Sequence, residues 1–195
     1  IITALISIAA FNRKELMYKF QFNAYQIVHR KQWYRIITHG FLHADWTHLI
    51  INMMVLYFFG RNVEYWIDAV PGANKYIYFP LLYFGAIIFS SGYSLYKHKD
   101  NHYYNALGAS GATSAVLYTS IFFDPLGKIY FYFAIPIPGI VFGVLYLAYS
   151  HYMSRKQVDN IGHDAHFWGA VFGFLFPLFL YVNLFSPFIN QLTSF

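Results

Sequence analysis

Five long apolar segments, separated by short polar connections, are the feature that most limits how this 195-residue chain can fold. An α-helix needs about 20 mostly apolar residues to cross the hydrocarbon core of a bilayer. The segments that approach this length are 46–66, 76–96, 106–123, 129–151 and 166–185, with Gly162 as an alternative start for the last. A shorter apolar stretch at 1–11 precedes them, and we interpret it as the end of a truncated first span.

Composition supports this interpretation. Hydrophobic residues make up 58% of the chain and charged residues only 11%, whereas charged residues are about 25% of a soluble domain. Without an internal repeat or a low-complexity linker, the sequence predicts one domain over 1–195. The fold class is an all-α membrane protein, a six-transmembrane-helix bundle whose first helix is truncated. The connection at 12–45 is too long for a turn, so we expect a folded, partly membrane-immersed element there.

Charge and cysteine content exclude several classes of function. The chain has no cysteine, which removes disulfides, a thiolate nucleophile and cysteine-ligated metals. The net charge is +5, but the basic residues lie in short connections between apolar segments. They are typical of contacts with lipid headgroups, and no nucleic-acid partner is predicted.

One serine lies among small residues where the 106–123 segment begins, in the string Gly108-Ala109-Ser110-Gly111. Small residues at a helix start permit close backbone approach and leave N–H groups free to face a reacting group. Such a string is weak evidence by itself, because small-residue turns into membrane helices are common.

Polar residues inside spans are costly, so each of them is a functional candidate. His48 and Asn52 are four residues apart and therefore share one helical face. They lie in the first turns of the 46–66 segment.

His166 begins the last segment and precedes Gly169-x-x-x-Gly173, a smooth face on which another helix can pack closely. A serine helix packed there brings Ser110 and His166 within hydrogen-bonding range. A serine nucleophile needs such a pairing, because a free hydroxyl is a poor nucleophile without an adjacent base.

Together these blocks resemble the rhomboid family of intramembrane serine proteases. The matching blocks are Tyr34-Arg35 before Thr38 and His39, then His43 with His48 and Asn52, then Gly60 and Glu64, then Gly108-Ala109-Ser110-Gly111, and finally Ala165-His166-x-x-Gly169-x-x-x-Gly173. The blocks occur in the order found in the family and span most of the chain.

The resemblance implies a Ser110–His166 dyad, with Ser110 as nucleophile and His166 as general base and then general acid. It implies an oxyanion hole formed by His48, Asn52, Gly108 and Ser110, with the Ser110 backbone N–H and the His48 and Asn52 side chains as donors. Asp164 lies on another helical face and is not expected to complete a triad. The positions expected to have structural roles are Arg35, His43, Glu64, Gly111, Gly169 and Gly173.

Two positions depart from the family pattern. Ser114 stands one turn after the nucleophile, where the family often has an aromatic residue that stacks on the histidine. The orientation of His166 is thereby left open, with another of the many aromatic side chains as the candidate. Tyr34 replaces the tryptophan of the first-loop motif.

Two alternatives remain. Histidine pairs such as His39/His43, His98/His102 and His163/His166 suggest a membrane di-iron hydroxylase, although the His-x-x-His-His block of those enzymes is absent. The chain can also be a catalytically inactive rhomboid-like protein that binds membrane clients, although inactive relatives lose the serine or the histidine.

The resemblance further implies transmembrane protein substrates, a lipid bilayer as environment, and no metal or organic cofactor. It makes no prediction of oligomeric state. The implied location is a bacterial plasma (inner) membrane, with the active site open to the extracytoplasmic side. Charge favours the opposite orientation, since 10 of the 13 Lys and Arg residues lie in the first, third and fifth connections.

Overall fold

A computed structural model describes residues 1–131, 134–156 and 162–193, which form a helical bundle with a β-hairpin. The first part of the chain contains α1 (Ile2–Phe11), α2 (Lys14–Phe20), α3 (Ala24–Arg30), α4 (Arg35–Thr38), a 3₁₀ turn (His39–Phe41), α5 (Trp46–Ala69), α6 (Lys75–His98) and α7 (Ser110–Phe123). The second part contains β1 (Lys128–Phe131), β2 (Ile135–Pro138), α8 (Gly139–Lys156), α9 (His163–Leu180), a 3₁₀ turn (Val182–Leu184) and α10 (Phe185–Thr193).

The central helix is α7, in which every residue after Ser110 is buried. It is surrounded by α5, α6, α8 and α9, and its apolar side chains contribute to three separate clusters of the core. A helix that is apolar all round belongs inside a bundle, since it has no polar face to present outward. The residue at its first position, Ser110, is therefore held by the most buried helix of the bundle.

Glycines let α9 approach α7 at backbone distance. A Cβ atom added to Gly169 would overlap the carbonyl oxygen of Gly111, and one added to Gly173 would overlap that of Ala115. Each overlap is with backbone, which cannot rotate away as a side chain can. The Gly-x-x-x-Gly face predicted from the sequence is thus the contact surface between these two helices.

The first connection is folded, as predicted, and it is tied to the segment before Ser110. Phe22 and Ala106 exchange backbone hydrogen bonds of 2.9 and 3.1 Å. Arg35 is buried, and its guanidinium donates to the carbonyl oxygens of Tyr18 and Gln21, both at 2.8 Å. These bonds hold the connection against the entrance to α7.

Besides the end of the fifth segment, which is predicted at 151 and lies at Lys156, three predicted boundaries are wrong. The serine helix begins at Ser110 rather than at residue 106, because Gly108 has a positive φ of 118° that a helix does not contain. The fifth segment does not begin as a helix at 129: β1 pairs with β2 in an antiparallel hairpin, and α8 starts only at Gly139. Pro136 and Pro138 lack the N–H groups that a helix requires. Residues 132–133 of that segment lie outside the described residues.

The third wrong boundary is the end of the last segment, predicted at 185. Helix α9 ends at Leu180, where Tyr181 is extended, and the chain then turns by 118° into the following helices.

Length and hydropathy alone identify fewer spans than the sequence predicts. Among the described residues, α6 has the length and apolarity to cross a bilayer, and α9 with the helices after it passes the same test as one bent unit. Helix α7 has 14 residues, about 21 Å at 1.5 Å per residue, which is shorter than a bilayer core. Helix α5 carries Arg61, Glu64 and Asp68 in its second half.

We predict that Gly173→Ala destabilises the fold, because the added methyl group meets the Ala115 backbone. Overpacking of this kind costs about 1–3 kcal/mol, so the midpoint of thermal unfolding in detergent should fall. Gly92→Ala on α6 is the matched control, since a Cβ there has no atom within 4 Å and alanine favours a helix. Equal midpoints for the two variants would contradict close α7–α9 packing.

Candidate active site

The turn before Ser110 is shaped by Gly108. Its φ of 118° disfavours any other residue, and an added Cβ would lie 2.6 Å from Cε1 of His48. The His48 ring therefore lies directly against the Gly108 backbone, two residues before the serine. Ser110 itself is half-buried at the first position of α7, where backbone N–H groups have no acceptor within the helix.

The Gly108 amide is not available as an oxyanion donor, contrary to its grouping with the oxyanion residues. Its N–H donates to the carbonyl oxygen of His39 at 3.0 Å. Gly108 instead provides the surface on which the His48 ring rests.

His43 connects the serine turn to α1 through both ring nitrogens. The Ala109 N–H donates to Nε2 at 3.4 Å, and Nδ1 lies 2.8 Å from the Ser7 hydroxyl, which donates to the Phe41 carbonyl oxygen. Since Nε2 accepts, Nδ1 carries the proton and donates to Ser7. Burial, and secondarily the charge of His48, lower the pKa of His43 to about 4, so the ring is neutral at pH 7 and this tautomer persists.

The Asn52 amide is fixed at both ends. Nδ2 donates to the His48 carbonyl oxygen at 2.8 Å, and Oδ1 accepts from the Thr113 hydroxyl at 2.7 Å. Thr113 lies one turn after Ser110 on α7, so the contact joins α5 to the serine helix. Asn52 is buried, and its Nδ2 carries a second hydrogen for another acceptor.

His166 lies in the first turn of α9, beside the serine turn. A Cβ atom on Gly111 would lie 3.4 Å from the Ala165 carbonyl oxygen, so the residues next to Ser110 and His166 are in contact. The Tyr146 ring of α8 stacks on the imidazole of His166, with centroids 6.1 Å apart and planes 17° apart. The Tyr146 hydroxyl lies 3.0 Å from Ser114 Oγ.

Asp164, two residues before His166, turns to α6, where its carboxylate lies 3.2 Å from Lys97 Nζ. Arg35 and Glu64 are not part of this site. Arg35 holds the first connection, and Glu64 follows His48 by 16 residues, about 24 Å along α5.

A small cavity of about 30 Å³ lies beside Ser110. Ser90, Ser91 and Ser94 of α6 and His39 contribute to its lining, and His39 Nε2 lies 3.0 Å from Ser91 Oγ. Burial lowers the pKa of His39 to about 4, so this ring is also neutral at pH 7. The volume suffices for about one water molecule.

The histidine pairs do not form a metal site in the part of the chain that the structure describes. No group of three or more His, Cys, Asp or Glu side chains comes together there as potential ligands. His98 stacks on Tyr104, and His102 stacks on Tyr25. The di-iron alternative therefore has no ligand set among these residues.

Comparison with known proteins identifies the family to which this chain belongs. A sequence profile of the Rhomboid domain matches residues 30–183, most of the chain. The match identifies an integral membrane protein with the fold of the intramembrane proteases. The chain belongs to the rhomboid family, which acts on membrane-protein substrates in the bilayer.

The chain is also similar to the RHOMBOID-like protein 12, mitochondrial, of Arabidopsis thaliana. The two are 29% identical over 146 residues, which cover 69% of this chain and 43% of the relative. Because that relative is mitochondrial, the comparisons give no support to the bacterial plasma membrane expected from the sequence.

Sequence reasoning missed three residues of this site: Ser7, Thr113 and Tyr146. Ser7 is a polar residue in an apolar segment, and this feature was sufficient to identify it as a candidate. Tyr146 shares a helical face with Gly139, Gly143 and Ser150, the buried residues of α8. That spacing of small residues marks the inward face, and it distinguishes Tyr146 from the other tyrosines of α8.

Proposed function

We propose that the chain is an intramembrane serine endopeptidase that uses a Ser110–His166 dyad. The observation that carries this proposal is the glycine-mediated contact between α7 and α9, which joins the turns that bear the two residues. The His48 ring adds a polar group against the backbone of Gly108, two residues before the serine. The peptide bond to be cleaved lies in or near a transmembrane segment of another membrane protein.

In the proposed reaction, Ser110 Oγ attacks the scissile carbonyl carbon and His166 takes the hydroxyl proton. Collapse of the tetrahedral intermediate breaks the C–N bond, and His166 gives the proton to the leaving amine. Water then attacks the acyl-enzyme carbonyl with His166 again as base, which releases the new carboxylate and restores Ser110. The small cavity beside Ser110, whose lining includes Ser90, Ser91 and Ser94, has room for that water.

The oxyanion of each tetrahedral intermediate needs donors that are already oriented. We assign this role to the Ser110 N–H, the His48 ring and the second Nδ2 hydrogen of Asn52. The His48 carbonyl oxygen supports the assignment, because it only accepts and so fixes Nδ2 as the donor end of the Asn52 amide, while the Thr113 hydroxyl holds the other end. His43 supports it indirectly, because it accepts a hydrogen bond from the Ala109 N–H and so fixes the backbone next to Ser110.

A six-span arrangement with a membrane-immersed first connection completes the proposal. Helix α7 is short, but it lies inside the bundle, where neighbouring helices rather than lipid surround it. A short central helix leaves space for water to reach Ser110 from one side of the membrane.

The rival function is client binding without catalysis, since the Arabidopsis relative is named only as rhomboid-like. The presence of Ser110, His166 and the oriented amide of Asn52 in one region favours catalysis. A binding protein has no need for these groups to converge.

We predict that Ser110→Ala and His166→Ala each abolish cleavage of a single-span substrate in proteoliposomes. Residues of one catalytic unit are non-additive, so the double variant should be no slower than either single variant. Ser154→Ala and His151→Ala, both on α8, are matched controls that should retain activity. Cleavage that persists in Ser110→Ala would refute the assignment, and a wild-type chain that binds but never cleaves would favour the client-binding function.

Asn52→Ala should lower kcat by about 10–10³-fold with little change in KM, as expected for an oxyanion donor. Thr113→Val should lower kcat in the same direction, because it frees the Asn52 amide to rotate. Thr113→Ser retains the hydroxyl and is the matched control. If these variants lose stability while the folded fraction keeps its normal kcat, Asn52 and Thr113 are packing residues only.

We propose that the Ser110 end faces the extracytoplasmic side, as the family resemblance implies. Two charges that favour the opposite orientation are already engaged within the protein: the Arg35 guanidinium is buried and donates to carbonyl oxygens, and Lys97 pairs with Asp164. Single cysteines at the exposed positions Lys31 and Lys128 can be tested in expressing cells with a membrane-impermeant maleimide. Labelling is expected at 31 and not at 128, and the reverse pattern would overturn the orientation.

A further inference from the structure

The proposed base of the dyad is oriented from a third helix. The position one turn after Ser110 holds Ser114, whose side chain is too short to cover an imidazole on α9. Its hydroxyl instead lies 3.0 Å from the hydroxyl of Tyr146, and the Tyr146 ring makes an offset stack with the imidazole of His166. Tyr146 of α8 thus contacts both Ser114 of α7 and His166 of α9.

A second aromatic ring, one turn earlier on α8, also stacks on Tyr146. The Phe142 ring lies 6.0 Å from it, centroid to centroid, with an angle of 19° between the planes. Both separations are in the range of offset stacking, which contributes about 0.5–1.5 kcal/mol per pair beyond burial. The contacts with Phe142 and with the Ser114 hydroxyl fix the position of the Tyr146 ring. The fixed ring in turn limits the orientations available to the imidazole of His166.

Helix α8 is the least enclosed of the long helices that surround α7. Its buried residues are Gly139, Gly143 and Ser150, whereas Val144, Leu145 and Tyr149 are exposed. Its start follows a proline-containing hairpin rather than a helical turn. Tyr118 of α7 donates a hydrogen bond to the Gly143 carbonyl oxygen and ties the two helices together. Elements with few buried contacts open at the lowest free-energy cost.

We propose that Tyr146 is the positioning residue for His166, so that alignment of the base depends on α8 being packed against α7. This inference rests on the proposed protease function and adds a residue outside the blocks that match the family pattern. Displacement of α8, for example by an entering substrate segment, withdraws the ring from His166. The base is then aligned only when α8 has returned.

The first test compares kcat and KM for variants of Tyr146. Tyr146→Ala and Tyr146→Leu, which keeps bulk without a planar ring, should lower kcat by about 10²-fold while KM stays within about 2-fold, because small misplacement of a catalytic group has effects of that size. Tyr146→Phe keeps the ring and should retain most activity. Tyr152→Ala, an exposed tyrosine on the same helix, is the matched control.

The decisive test moves the ring from α8 to α7. Ser114→Tyr alone should lower kcat, because the new side chain collides with Tyr146. In the Tyr146→Ala background, however, Ser114→Tyr should restore kcat, since the vacated space admits a ring that covers His166. If Tyr146 served only to stabilise the fold, Ser114→Tyr would not lower kcat in the wild-type background and raise it in the Tyr146→Ala background.

The dependence on α8 is tested with Tyr118→Phe, which removes the hydrogen bond to the Gly143 carbonyl. It should lower kcat in the wild-type background and have little effect in the Ser114→Tyr/Tyr146→Ala background, where the ring belongs to α7. Normal kcat in Tyr146→Ala and Tyr146→Leu, or no restoration by Ser114→Tyr in a variant that unfolds at the wild-type temperature, would overturn the inference. Failure of the protease function itself is distinguishable, since the wild-type chain then shows no cleavage that Ser110→Ala removes.

Discussion

The backbone contact between α7 and α9 is the interaction on which the candidate site depends. Gly169 and Gly173 remove the side chains that would otherwise separate the helices, so α9 meets the backbone of Gly111 and Ala115. Van der Waals contact of this kind stabilises helix pairs in a bilayer, where burial of apolar surface gives no advantage over lipid. The same approach joins the turn of Ser110 to the turn of His166, so packing and chemistry share one constraint.

Two series of hydrogen bonds between neutral groups orient the remaining polar side chains. His43 accepts from Ala109 and donates to Ser7, while Asn52 donates to its own helix and accepts from Thr113. The first series connects the turn before α7 to α1, and the second connects α7 to α5. Buried polar groups are tolerated only when they are satisfied, so these contacts also specify how the helices are arranged around α7.

Much of the site was predictable because its residues break local rules. A polar residue in an apolar segment, or a glycine pair in a helix, has a cost that function or close packing must offset, and this marked His48, Asn52, His166 and Gly169. Tyr146 breaks no rule: a tyrosine in an aromatic-rich segment is ordinary, and its contact with His166 depends on the rotation of α8. The delayed start of α8 was only partly predictable, since Pro136 and Pro138 exclude a helix without specifying that a hairpin replaces it.

The central claim is that Ser110 is a nucleophile activated by His166, and covalent labelling tests it without any choice of protein substrate. The wild-type chain is incubated with a fluorophosphonate in detergent, and the modified peptide is identified by mass spectrometry. We expect a stoichiometric adduct on Ser110 that forms at least about 10²-fold more slowly in His166→Ala, the range of general-base assistance. An adduct on another residue, or equal labelling rates for the two proteins, would contradict it.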